Sequence, residues 1–310
     1  MSNNEYQRRW LLTASYTSVV VAITLIAVKT GAWLYTGSAS LLGSLLDSVM
    51  DSMASVVSMF AVRYSLQPAD LGHRFGHGKA ESLAALAQSV FILVSGALLM
   101  YHCADRLLHP VDGGVEHALV GIVVMVVAIV MTLGLVMLQS HVIKLTDSAA
   151  ISADQLHYKG DLFMNLSVIA ALVLVQFGIQ QADLLLGLGI ALYIAMGSIR
   201  IARDAMDVLM DAQLGPEVDR RVYDIAMAQE GVYGVHDLRT RRSGRTILIQ
   251  LHIELPDDLS LVAAHHLSDR VEGAIRKAFP GADVIIHPDP ASVIPREQAK
   301  GQVFDVPDTP

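Results

Sequence analysis

The chain predicts an α-helical membrane protein: a six-helix transmembrane bundle plus a C-terminal α+β domain of order αββαβ. Three observations carry this expectation. Of the 310 residues, 53% are hydrophobic and only 17% charged, and the mean hydropathy of +0.47 exceeds that of an ordinary soluble protein. Six stretches approach or exceed the roughly 20 residues a helix needs to cross the hydrocarbon core. They run at about 10–35, 39–65, 81–107, 117–140, 149–176 and 183–206. Beyond residue 211 the apolar runs give way to a charged segment with strand and helix patterns.

The first stretch follows Met-Ser-Asn-Asn-Glu-Tyr-Gln-Arg-Arg without a small-residue cleavage site, so it reads as a retained span. Trp10, Trp33 and Tyr35 lie near its ends, where interfacial aromatics belong. The third and fourth spans are nearly continuous apolar helices, divided by Leu108-His109-Pro110 and Asp112-Gly113-Gly114. Arg8, Arg9, Arg63, Arg74, Lys79, Lys144, Arg200 and Arg203 fall on one side of the spans, against Arg106 on the other. Basic residues favour the cytosolic side, which puts both termini in the cytosol.

Gly215-Pro216-Glu217 opens the soluble segment. Helix 217–229, strands 232–242 and 245–255, helix 260–278 and strand 282–288 follow. Ser243-Gly244 supplies a hairpin turn. Ile247, Ile249, Leu251, Ile253 and Leu255 alternate with Leu248, Gln250, His252 and Glu254, as a half-buried strand does. The expected domains are therefore 1–211 in the membrane, 212–290 in the cytosol, and a proline-containing disordered tail at 291–310.

Two polar stripes interrupt the apolar spans. Ser40, Ser44, Asp47, Asp51, Ser55 and Ser58 share one face of the second, and Asp154, His157, Asp161 and Asn165 one face of the fifth. Each charge at mid-bilayer costs roughly 2.5–3.5 kcal/mol on insertion scales, so such residues carry partners or function. Asp47 with Asp51, and His157 with Asp161, stand one helical turn apart. If the two helices pack together, three carboxylates and an imidazole make a tetrahedral site for Zn²⁺, Fe²⁺, Mn²⁺ or Cd²⁺. The alternative is two unrelated interhelical hydrogen-bond patches. Protons compete for the same groups, since metal requires a neutral imidazole and ionised carboxylates.

Other compositional facts exclude classes. The one cysteine, Cys103, rules out an intramolecular disulfide framework and a thiol zinc knuckle. A net charge of -8 argues against nucleic acid as partner. The absence of H-E-x-x-H speaks against an intramembrane metalloprotease, so the chain reads as a transporter and not an enzyme. A membrane-anchored metal sensor and a passive divalent channel remain as alternatives. Asp70, His73 and His77 can present three ligands on the loop after the second span, although such spacing also occurs in ordinary polar loops. His236, His252, His265, His287 and Asp289 are scattered through the soluble segment and read individually as surface or core residues.

Asp47-x₃-Asp51 with His157-x₃-Asp161, six spans and a cytosolic α+β domain resemble the cation diffusion facilitator family. The stretches 65–70, 75–89 and 236–241 look closest to its bacterial zinc, iron and cadmium exporters. The resemblance spans roughly residues 8–295 and implies a homodimeric antiporter of the bacterial inner membrane. Such a protein exports Zn²⁺, with Fe²⁺ and Cd²⁺ as further substrates, against protons and without an organic cofactor. It implies a metallochaperone-like soluble fold and metal at three places. These are the intramembrane site of Asp47, Asp51, His157 and Asp161, the loop site of Asp70, His73 and His77, and a binuclear site. His236, His252, His265, His287 and Asp289 would hold the last, with Asp289 as bridge, and Lys79 with Asp211 would form an interdomain charge pair.

Overall fold

A hydrocarbon layer offers no water to backbone amides, so long apolar runs close their hydrogen bonds internally as helices. The computed structural model, which describes residues 3–108, 118–176 and 182–293, begins with six of them. They are α1 (Asn3–Thr36), α2 (Ala39–Ser65), α3 (Lys79–Leu108), α4 (Ala118–Thr146), α5 (Ala149–Gln176) and α6 (Ala182–Leu209). Among the described residues, five of the six, all but α5, are long and apolar enough to cross a membrane. α5 is of similar length, at 28 residues, and carries Asp154, Lys159 and Asp161 in its N-terminal half. The expected disordered tail, from residue 294 on, and the loops 109–117 and 177–181 lie outside the described residues.

Two helix ends explain the tight connections. Gly37, at φ 64, ends α1 while its N–H donates to Trp33 O at 2.8 Å. Asp147, at φ 54, ends α4 in the same way, donating to Ile143 O at 2.8 Å. Both are left-handed residues that terminate a helix and let the chain reverse within two residues. Between α2, α3 and the α4–α5 turn, buried Glu81 accepts from Ser65 Oγ at 2.8 Å and Ser148 Oγ at 2.5 Å.

The chain divides into two units, Met1–Met206 and Asp207–Pro310. In the first, one fully buried carboxylate joins five helices. Asp154 on α5 accepts from Ser18 Oγ of α1 at 2.5 Å and Ser55 Oγ of α2 at 3.0 Å. Gln88 Nε2 of α3 and Gln139 Nε2 of α4 donate to it at 3.4 and 2.8 Å. In the absence of a hydrophobic drive between helices in lipid, such polar ties do much to fix the packing.

The second unit reads α7 (Pro216–Met227), β1 (Gly234–Ser243), β2 (Thr246–Leu255), α8 (Leu261–Ala278) and β3 (Asp283–Pro290). This is the αββαβ order that the sequence predicts. The sheet order is β1-β2-β3, antiparallel between β1 and β2 and parallel between β2 and β3. Gly244, at φ 58, makes the expected hairpin turn. Ile249, Leu251, Ile253 and Leu255 of β2 pack with Val222 and Ala226 of α7 and Leu267, Val271 and Ile275 of α8 in one core. Asp219 of α7 ties that helix to β1 by accepting from Thr240 Oγ1 at 2.7 Å. Strand alternation therefore turns His252 and Glu254 to the sheet face away from the helices.

Candidate metal sites

The polar stripes of α2 and α5 meet. Asp51, His157 and Asp161 each offer a ligand atom within 4.8 Å of the others. His157 Nε2 lies 2.7 Å from Asp51 Oδ1 and 3.7 Å from Asp161 Oδ2. Steps of four residues bring Asp161 over His157 on α5, and packing of α2 supplies Asp51. Phe91 of α3 and Tyr158 flank the imidazole, with ring centroids 6.4 and 5.8 Å away. Beside the cluster lies a cavity of about 220 Å³, walled by α1, α2, α4 and α5.

Asp47, the fourth ligand expected from the sequence, lines this cavity together with Asp51 and Asp161. Among the described residues it does not join the close three. Lys29 of α1 lines the same space. Its Nζ donates to Ser48 Oγ at 2.6 Å and Ser44 O at 3.0 Å. Sequence reasoning passed over this lysine, although an ionisable residue inside the first apolar run is itself a signal of function.

The loop between α2 and α3 forms a second cluster of Asp70, His73 and His77. The aspartate organises it. Asp70 Oδ1 accepts from the backbone N–H of His73 at 2.6 Å and of Gly72 at 2.8 Å. These bonds, that of His73 foremost, hold the Asp70 carboxyl below the usual carboxylate range. His73 Nδ1 and His77 Nε2 each lie 3.4 Å from it. The His77 ring is buried edge-on against Tyr64, centroids 4.5 Å apart, and its Nδ1 has no hydrogen-bond partner among the described residues.

A third cluster, His236, His252 and Asp289, sits on the open face of the sheet. Register explains it: His236 of β1, His252 of β2 and His287 of β3 are lateral neighbours across three strands. Asp289 Oδ2 lies 2.8 Å from His252 Nδ1 and 3.4 Å from His236 Nε2, and its Oδ1 is 3.2 Å from His287 Nε2. One carboxylate thus touches three imidazoles. Two acids not foreseen from the sequence flank them. Glu254 Oε1 is 3.2 Å from His236 Nδ1, at an angle that makes no hydrogen bond, and Asp237 Oδ2 is 3.7 Å from His252 Nε2. Gly234 gives Glu254 its room, since a Cβ there would meet the carboxyl carbon at 2.6 Å.

His265 stands apart from these. It belongs to α8, which covers the other face of the sheet, is 68% exposed and lies 3.5 Å from Asp269. Of the expected charge pair, Lys79 opens α3 in the first unit. Asp211, in the second, accepts from Arg241 Nη1 at 3.0 Å, a partner not foreseen from the sequence.

Comparison with known proteins agrees with this architecture. Residues 15–210 match the cation efflux transmembrane domain, and residues 214–291 the cation efflux protein cytoplasmic domain. The chain is 48% identical over 289 residues to the cation-efflux pump FieF of Shewanella oneidensis, covering 93% of this chain and 97% of that protein. It is 47% identical over 296 residues to FieF of Cronobacter sakazakii, covering 96% and 98% respectively. FieF of Pectobacterium atrosepticum is also 47% identical over 296 residues, covering 95% and 98%. The chain therefore belongs to the cation efflux family of membrane transporters and is FieF-like over nearly its whole length.

Proposed function

We propose that the chain exports Zn²⁺ from the cytosol, with Fe²⁺ and Cd²⁺ as further substrates, by antiport against protons. The observation that carries this reading is the meeting of Asp51, His157 and Asp161 beside a cavity inside the bundle. Two carboxylates and an imidazole suit a borderline divalent ion, and Asp47 on the wall of the same cavity is the carboxylate left to complete four-coordination. A metal ion there requires ionised aspartates and a neutral His157, so cargo and protons exclude one another. Exposing the site alternately to either side then exchanges one for the other.

The loop cluster and the open-face cluster of the second unit serve as cytosolic zinc sites in this reading. His287 extends the latter toward a second ion and Asp289 bridges the two. Metal there adds its binding free energy to folding and to homodimer contacts. Both termini are cytosolic, and the membrane is the bacterial inner membrane.

The test is transport in vesicles with internal pH recorded. Zn²⁺ uptake should move protons the opposite way, and Asp51→Ala or Asp161→Ala should abolish both. Metal flux that neither drives nor responds to a pH gradient selects the passive channel. Full-rate transport by Asp161→Ala overturns the site.

A further inference from the structure

The acidic cavity contains a cation of its own. Lys29 enters from α1, and its Nζ donates to Ser48 Oγ at 2.6 Å and Ser44 O at 3.0 Å, both on α2. It shares the cavity wall with Asp47, Asp51 and Asp161. An ammonium has three N–H donors and no acceptor, so two go to α2 and the cavity offers carboxylates for the third. We propose that Lys29 is a tethered counter-cation that competes electrostatically with the divalent cargo and keeps its binding weak enough for release. The proposal rests on the α2–α5 cluster being the transport site.

Charge arithmetic supports it. Three carboxylates carry -3 and one ammonium +1, leaving -2, which a single divalent ion neutralises. Without Lys29 the same cavity would hold a divalent ion with one negative charge to spare. Inside a bilayer such charges are poorly screened, so the fixed positive charge repels the cargo at every approach. Transport needs a site that binds strongly enough to load and weakly enough to unload. The serine contacts serve this end by fixing the ammonium to α2, the helix that also carries Asp47 and Asp51.

The experiment is Zn²⁺ titration of the full chain in lipid nanodiscs, against a competing chelator dye. The binding component lost in Asp51→Asn belongs to the α2–α5 cluster. In Lys29→Met and Lys29→Gln that component should tighten by about tenfold or more, the scale expected for loss of one nearby charge. Lys29→Arg, which keeps the charge, should stay within about threefold of wild type. In vesicles, the two neutral variants should show a lower half-saturating Zn²⁺ concentration together with a lower maximal rate. A merely structural lysine would lower the rate without tightening binding. Lys29→Gln retains a donor for Ser48 and is the readout if Lys29→Met fails to fold. Wild-type or weaker affinity in a folded Lys29→Gln overturns the proposal. A wild-type titration with no component sensitive to Asp51→Asn overturns the site reading instead.

Discussion

Replacing Asp154 with alanine should loosen the bundle more than any other single polar change. Its carboxylate is fully buried and accepts from Ser18, Ser55, Gln88 and Gln139, one donor from each of α1 to α4. Alanine removes all four acceptor contacts. Ser18 and Ser55 lie 3.1 Å apart and can satisfy each other, so the loss concentrates on the two glutamine amides. A buried donor left without a partner costs about 1–3 kcal/mol, which for two amides offset by the carboxylate's own desolvation leaves roughly 2–4 kcal/mol. Four interhelical bonds at roughly 0.6 kcal/mol each give about 2.4 kcal/mol, the same range. At about 2–4 °C per kcal/mol for a unit of this size, Tm should fall by roughly 4–16 °C. Thermal unfolding in detergent, followed by circular dichroism, measures it. Asp154→Asn should lose less than half as much. One oxygen remains an acceptor, and Gln139 Oε1, without a partner among the described residues, can turn to accept the new amide. A Tm for Asp154→Ala within about 2 °C of wild type would refute the reasoning.

Further outcomes follow from the other sites. Because backbone N–H groups keep the Asp70 carboxyl ionised below the usual range, this carboxylate should go on binding loop metal to lower pH than an ordinary aspartate would, until protons compete for it. The sign is a fall in affinity as pH drops, read by metal titration across pH, and Asp70→Asn should abolish loop binding at every pH. Zn²⁺ at about 100 times its Kd should stabilise the second unit by about 2.7 kcal/mol in thermal melts of the full chain. Asp289→Ala should erase that gain, since it removes the oxygen atoms shared by three histidines. Ile253→Ala, at a fully buried position in the sheet core, should cost about 2–5 kcal/mol by the same melts.

The sequence made the elements legible where physical constraints are strong. Apolar runs of fixed length yield α1 to α6, and the alternation through Ile247–Leu255 yields β2 and its core face. The polar stripes also told their faces correctly: Ser55 and Ser58 of α2 both bond to α5. What spacing along one helix cannot give is depth across a pair, so Asp47 and Asp51 looked equivalent until packing placed Asp51 against His157. Sheet register is likewise a three-dimensional fact. It joined His236, His252 and His287, recruited Glu254 and Asp237, and left His265 on the helix covering the opposite face. Lys29 and the hub role of Asp154 were readable as costly intramembrane charges, but their partners lie on other helices and only the packed bundle names them.

X-ray absorption at the zinc edge tests the central claim most directly, on full chain whose loop and second-unit sites are removed by His73→Ala, His77→Ala, His236→Ala, His252→Ala and Asp289→Ala. The account predicts a four-coordinate ion with one imidazole nitrogen and carboxylate oxygens at about 2.0–2.2 Å, and loss of the signal in Asp161→Ala. A shell of six water oxygens, or a spectrum unchanged by Asp161→Ala, would contradict it.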